Sequence, residues 1–294
     1  MKDKVLIIQR AGEHLLNREF RESLSIKRAF DRLGIESTVW GKDYPTFIIP
    51  FEQIIKGFNI ILIVENYDFD WIPNLEKFNG TKVFWSIDGH LVIDKHKEFF
   101  RAVGGVEIVL NSNMNCVPLW KDFKCESLWF PNCYDDDLIT NKKDIKKLNR
   151  MGFCGSSHEK RDEVVNKLDK KLKEFNFEIK RDNLVIGDNM VNAINSYMIH
   201  FNMNIAEDIN YRTFETMGCK TMLFTNHTSG IDLLFDCEKE LLLWSTEDDL
   251  YSNAIEFVNN IQKSMVIANA GYERVKKDHT YFVRMKHLID AINQ

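Results

Sequence analysis

The sequence predicts an α/β protein built as two doubly wound, Rossmann-like domains with an interdomain cleft. Three observations carry this. Strand-like apolar runs alternate with helical patterns along most of the chain. The strongest run, FNIILIVEN at 58–66, is apolar on both faces, as central parallel strands are. The alternation breaks at a polar, charged stretch near 131–150 and then restarts. The 294 residues suit two domains of ~150 residues each.

The elements follow in order. VLIIQ (5–9) reads as a buried first strand. Residues 17–33 keep helical spacing through Phe20, Leu24, Ile26, Phe30 and Leu33, and Gly34 is a natural stop. IESTVW (35–40) is a second strand and 58–66 a third. TKVFWSI (81–87) and VEIVLN (106–111) flank a helical DKHKEFFRAVG. PNCYDDDLITNKKDIKKLNR (131–150) lacks apolar periodicity and reads as a linker. RMGFCGS (150–156) reopens the pattern as strand and turn, with a helix at 159–175 and short strands at 184–186 and 199–203. A short helix opens at Asn210, KTMLFTN (220–226) and LLLW (241–244) are strands, and helical stretches at 247–261, 262–277 and 280–292 close the chain. The predicted domains are therefore 1–130, a linker at 131–150, 151–278, and a terminal helix at 279–294 that packs back toward the first domain.

Composition excludes several classes. Hydrophobic residues make up 44% and charged residues 28%, which is globular rather than disordered. A net charge of −5 argues against a general nucleic-acid coat. The six cysteines (Cys116, Cys125, Cys133, Cys154, Cys219, Cys237) contain no CxxC spacing, which fits reduced thiols and a cytoplasmic protein rather than a zinc knuckle or disulfide framework. The apolar run after MKDK is a first strand, not a signal peptide, and no run approaches the ~18 residues of a membrane span. GxGxxG, GxxxxGK[ST] and GxSxG are all missing, which lowers dehydrogenase, kinase-like and hydrolase readings.

The segment NYRTFETMGCKTMLFTN (210–226) carries the chemistry. Asn210 is a good N-cap, so the amides of Tyr211, Arg212 and Thr213 should point out of a helix start, where the dipole favours an anion such as a diphosphate. Tyr211, Phe214 and Met217 share an inward face. Arg212 and Glu215 lie together on another, where the arginine can hold phosphate and the carboxylate can accept from the cis hydroxyls of a ribose. The plain alternative is an ordinary exposed helical ion pair, which contributes little.

Arg212-Thr213-Phe214-Glu215, Gly218 and TNHTSGIDLLF, together with LLLWSTEDDL and IANAGYERVKKDHTYFVRMKHLI, resemble the C-terminal half of CgeB-type (spore maturation protein-like) glycosyltransferases of the GT-B superfamily. Gly152-Phe153-Cys154-Gly155-Ser156 resembles that family's Gly-Phe-x-Gly-Ser turn. The resemblance covers roughly 127–290 and extends more loosely through Trp85-Ser86-Ile87-Asp88-Gly89-His90 and Trp129-Phe130-Pro131-Asn132. It implies transfer of a sugar from a nucleotide-activated donor to an acceptor hydroxyl, without a metal or a cofactor. By matching position, Glu215 holds the ribose, while Gly155, Ser156, Arg212 and the amides of 211–213 hold the diphosphate. Members often carry a lysine where this chain has Met198, so either Arg212, Arg161 or His200 supplies the missing cation or donor binding is weaker or different.

An attacking hydroxyl needs a base. Asp88 and His90 follow a predicted parallel strand at its C-terminal end, where α/β clefts gather ligands, and Glu13 and His14 occupy the first strand-to-helix loop. The plainer reading makes Asp88 a turn or N-cap residue and His90 a surface residue. Asp68-Phe69-Asp70 resembles a metal-holding DxD but reads better as a solvated turn, and Asp135-Asp136-Asp137 as a solvated charge run. The lysines of 159–173 are interleaved with acids, as on a solvated helix face. The acceptor is open among glycan, lipid, protein and a hydroxylated nucleobase in DNA, with the acidic balance weighing against DNA. Two rival functions are a GT-B-like binding protein without catalysis and a sugar-nucleotide epimerase.

Overall fold

The computed structural model describes residues 3–66 and 68–293. Contacts divide the chain into two compact units, Met1–Asn132 with Tyr281–Gln294, and Cys133–Thr280.

Unit 1 holds a six-stranded, all-parallel sheet: β1 (Lys4–Ile8), β2 (Glu36–Trp40), β3 (Ile60–Val64), β4 (Thr81–Ser86), β5 (Ile108–Asn111) and β6 (Glu126–Trp129), in the order β2-β1-β3-β4-β5-β6. Its helices are α1 (Glu22–Leu33), the one-turn α2 (Phe51–Ile54) and α3 (Gly89–Ala102). All five residues of β3 are buried, which explains its unbroken apolar run. Gly34 ends α1 in the left-handed conformation (φ 70°) that a side chain would resist. The last helix of the chain, α10 (Tyr281–Ile292), belongs to this unit, with Arg284 donating from Nε to the Pro131 carbonyl at 3.0 Å.

Unit 2 holds a five-stranded parallel sheet: β7 (Leu148–Gly155), β8 (Ile179–Asn183), β9 (Tyr197–Phe201), β10 (Met222–Asn226) and β11 (Leu242–Trp244), ordered β11-β10-β9-β7-β8. Around it lie α4 (Glu159–Lys173), α5 (Gly187–Ser196), α6 (Tyr211–Gly218), the one-turn α7 (Ile231–Leu234), α8 (Glu247–Asn259) and α9 (Ile261–Asp278). Met151, Phe153, Ile199, Phe201, Met222 and Phe224 form the centre of its core. Gly152 is required in β7, because a Cβ there would sit 2.2 Å from the Tyr197 ring.

Several elements depart from the sequence expectation, the one-turn α2 and α7 among them. The strand expected at 184–186 lies instead at 179–183; IKRDN pairs only with β7, and an edge strand needs no apolar run. Helix α5, whose buried apolar side chains are Met190, Val191 and Ile194, and the four-residue edge strand β6 had no strong periodic signal. Part of the stretch expected as a linker is anchored in unit 2. The Lys147 ammonium donates to the carbonyls of Asn195, Tyr197 and Cys219 at 3.2–3.4 Å and to Thr221 Oγ1 at 2.5 Å. All six cysteines are free thiols.

Candidate functional site

In unit 2 the chain runs from β7 outward to β8, then returns to place β9 on the other side of β7. The crevice at such a reversal, outside the carboxyl ends of the strands, is where open α/β sheets take ligands. Gly155 and Ser156 leave β7 there, Asn202 and Asn204 leave β9, and α6 starts nearby.

Asn210 caps α6. Its Oδ1 accepts from the Thr213 amide at 3.3 Å and from Asn202 Nδ2 at 3.3 Å. Asn202 Nδ2 also reaches Asn204 Oδ1 and Thr225 Oγ1, and Asn204 exchanges bonds with Asn226 through its main chain. This web of neutral amides fixes the loop between β9 and α6 without adding charge. It was not foreseen, although two asparagines directly after an apolar strand were its signal.

Phe214 and Met217 are fully buried beneath the helix, as expected, whereas Tyr211 is only partly covered. The Thr213 amide is not available to a ligand, because Asn210 occupies it. Arg212 and Glu215 form an ion pair, with side chains 22% and 14% exposed. Arg212 also contacts Met190 Sδ and donates from Nε to the Cys154 carbonyl at 3.3 Å. Burial alone would weaken its hold on a proton, but the Glu215 carboxylate outweighs that and raises its pKa. A pair this covered is not the solvated helical pair of the plain alternative.

Arg161, on α4, stands on the other side of Gly155. It donates to the carbonyl of Ser156 at 2.8 Å and to that of Met203 at 3.0 and 3.2 Å, and lies 5.8 Å above the Phe153 ring. Burial lowers its pKa, the nearby Arg212 charge adding to this, from so high a starting value that it stays charged near neutrality.

His200 cannot be the substitute cation. It is completely buried, and its Nε2 accepts the Cys154 amide at 3.1 Å, which leaves Nδ1–H to meet Thr216 Oγ1 at 2.6 Å. Burial, reinforced by Arg212, pushes its pKa down to about 3, so the ring is neutral at physiological pH. Of Arg161, Arg212 and His200, the two arginines are left as cations.

Unit 1 reverses at the equivalent place, between β1 and β3. Its carboxyl edge carries acids that are mostly paired with Arg10 and Lys42. Glu65 follows β3 and its Oε2 accepts the amides of Ile87 and Asp88 at 2.5 and 2.7 Å. Asp88 is exposed and starts α3 without a side-chain capping bond. His90 is partly covered and its Nδ1 is a buried atom with no hydrogen-bond partner. Glu13 is exposed in the loop after β1, 3.9 Å from Arg10, and His14 is exposed beside it. The loops of Glu13 and of Asp88–His90 are separated by strand β3, about 10 Å between strand axes. Asp68 and Asp70 both engage Lys42, at 3.2 and 3.4 Å. Among the described residues no cluster of three or more metal-binding side chains occurs.

Residues 148–290 match a protein family described as glycosyl transferase-like. No curated protein matches the chain significantly. Among solved structures, an alpha-glucosyltransferase in complex with UDP and a 13-mer DNA aligns over 100% of both chains, with a TM-score of 0.72 and 11% identity. Sucrose-phosphate synthase from Thermosynechococcus elongatus aligns over 100% of this chain and 99% of its own, with a TM-score of 0.65 and 9% identity. Anabaena HepE in complex with UDP and glucose aligns over 99% of both chains, with a TM-score of 0.61 and 10% identity. The fold is the two-domain α/β fold shared with these glycosyltransferase structures, and residues 148–290 are similar to the glycosyl transferase-like family.

Proposed function

We propose that the chain moves a glycosyl group from a nucleotide-diphosphate sugar, bound at the β7/β9 reversal of unit 2, to an acceptor hydroxyl, in the manner of the CgeB-type enzymes it resembles. One observation carries this reading: an asparagine-capped helix start lies at the reversal, with Arg161 and Arg212 beside it and Glu215 one turn further on. The first turn of a helix leaves main-chain N–H groups without intrahelical partners. Asn210 takes that of Thr213; the amide of Arg212 and the Gly155-Ser156 turn are assigned to the diphosphate.

Breaking the glycosidic bond puts negative charge on the leaving diphosphate. Fixed amides and guanidinium groups stabilise that charge without reorganising at the moment of reaction. Arg212 turns from Glu215 to phosphate when donor binds, and the released carboxylate accepts from the ribose hydroxyls. Asp88 is the first candidate for the base, with His90 and Glu13 next. Uridine is the first base to test, because two of the neighbouring structures hold UDP. The loops after β1–β4 carry more acids than bases, but Glu13, Glu19, Asp43, Asp68 and Asp70 lie within ion-pair distance of Arg10, Arg28 and Lys42, so their net charge weighs only slightly against a DNA acceptor. No described helix is long and apolar enough to cross a membrane.

The test is a thermal-shift screen against UDP-, GDP-, ADP-, CMP- and dTDP-sugars, since a ligand that binds the native state raises its melting temperature by mass action. The stabilising donor is then assayed for release of nucleoside diphosphate. Binding with no turnover across acceptors would favour the non-catalytic rival, and conversion of the sugar without transfer would favour the epimerase.

A further inference from the structure

Glu65 is a largely covered carboxylate at the end of β3. Its side chain is 14% exposed, and one of its oxygens accepts two consecutive main-chain amides, those of Ile87 and Asp88. Bonds from N–H groups to a charged acceptor are roughly twice as strong as neutral ones. The main-chain carbonyl of Glu65 is tied as well, accepting from Gln9 Nε2 at 3.2 Å. His96 of α3, only 1% exposed, meets Ser86 Oγ through Nδ1 at 2.8 Å and turns Nε2 toward Glu65 Oε2 at 3.5 Å. That nitrogen has no hydrogen-bond partner, so the carboxylate is the polar group it faces. Gly89 completes the arrangement, since a Cβ there would come within 2.4 Å of Ser86 Oγ.

The link between β4 and α3 is thus held from three sides: by the Glu65 carboxylate, by the Ser86–His96 bond and by the close approach at Gly89. The residue displayed by this brace is Asp88.

We infer that Glu65 is a positioning residue for the acceptor-side base, acting by holding the main chain of Asp88 at the end of β4. The inference rests on the reading of Asp88 as that base. Glu65 touches neither donor nor acceptor; it works through the Asp88 carboxylate.

The experiment is a double-mutant cycle on Glu65→Ala and Asp88→Ala, with Glu65→Gln alongside. It reads turnover of the nucleotide sugar that stabilises the protein most in the screen, UDP-glucose being tried first. A misplacement of about 1 Å can cost on the order of a hundredfold in rate. Glu65→Ala should therefore lower kcat by about ten- to a hundredfold while leaving the KM for donor and the donor-induced melting shift unchanged. Glu65→Gln keeps an oxygen in the same place and should recover most of that loss; it also serves if the alanine variant folds poorly. In the Asp88→Ala background, Glu65→Ala should cost nothing further, because groups that act as one unit are not additive. Equal losses in both backgrounds would overturn the inference and leave the assignment of Asp88 standing. Normal turnover in Asp88→Ala would overturn the base assignment, and the role of Glu65 with it. Independently of any donor, hydrogen exchange at the amides of Ile87 and Asp88 should speed up in Glu65→Ala and stay slow in Glu65→Gln; slow exchange in both would also overturn the inference.

Discussion

The two sheets share one winding and differ in what they place at the reversal. In unit 1 the reversal lies between β1 and β3, and in unit 2 between β7 and β9, the first and third strands of each series. At the first, the amides at the end of β4 are already satisfied by an internal carboxylate, Glu65, with Asp88 and Glu13 close in sequence to the same strand ends. At the second, the cap of α6 is a neutral asparagine, Arg212 pairs with Glu215, and Arg161 stands with Asp162 and Asp208 near it. On the proposed reading, the same topology holds a diphosphate at one edge and not at the other. Topology supplies the crevice, and a handful of side chains decide its sign.

The largest expected effect breaks the acidic side. Removing a positioned general base typically costs about 10²–10⁴ in rate. Asp88→Ala should fall within that range in turnover and keep the full donor-induced melting shift. Loss of both together would mean that the first sheet also holds donor, and the contrast between the edges would fail.

The next effect tests the receptive side. Hydrogen bonds to charged groups contribute about 1.5–3 kcal/mol each. Glu215→Ala should therefore weaken donor binding by at least tenfold and remove most of the melting shift. It also strands the Arg212 guanidinium, so the free protein should melt lower too. Glu215→Gln separates the two effects, because it keeps an acceptor for Arg212. A donor shift unchanged in both variants would remove Glu215 from the ribose.

Much of this contrast was legible in the sequence, and the unread part has a physical cause. Buried parallel strands announce themselves through unbroken apolar runs, so β1, β3, β4 and β10 could be read directly. Asn210 as a cap and Phe214 with Met217 as the inward face follow from helix chemistry alone. Edge strands β6 and β8 need no such run, and α5 buries only one narrow stripe. The site was legible in its residue types but not in its pairings. His200 looked like an available cation and is instead a neutral bridge between Cys154 and Thr216, because a single letter does not reveal complete burial. Glu65 was hidden for the opposite reason: one charged letter after a strand carries no sign that its partners are main-chain amides twenty residues later.

The His200 bridge yields a smaller effect. Its pKa is about 3 in the native state and 6.5 when exposed, so between those values the unfolded chain binds a proton that the folded one does not. This group's contribution to stability is therefore complete above pH 6.5 and is lost as pH falls, by at most about 1.4 kcal/mol per pH unit. His200→Gln keeps an acceptor for the Cys154 amide and cannot titrate. Denaturant melts at pH 6.5 and 5.5 should show a drop in the parent that the variant lacks. Equal drops would mean that His200 is protonated in the folded state, which would give the receptive edge a third cation.

The smallest effect extends the comparison to the opposite edges of the sheets. Each first strand starts beside a lysine. Lys4, in β1, has a side chain 43% exposed and pairs with Glu36 at 2.7 Å. Lys147, just before β7, lies among three carbonyls and a threonine hydroxyl, and burial lowers its pKa to about 8. Between pH 8 and the ordinary value of 10.5 the unfolded chain holds a proton that native Lys147 has released, so stability should rise with pH across that window. Because Lys147 keeps some contact with solvent, the gain between pH 8 and 9 should be a few tenths of a kcal/mol, up to about 1. Lys147→Met should abolish the rise and cost about 1–3 kcal/mol at pH 7, because its carbonyl acceptors lose their donor. Lys4→Met should change stability by no more than about 0.5 kcal/mol and leave the rise intact, as an exposed pair contributes little. Urea melts of both variants from pH 7 to 9 decide the matter: a rise that survives in Lys147→Met would assign it to another group and place a charged ammonium in the carbonyl cage throughout.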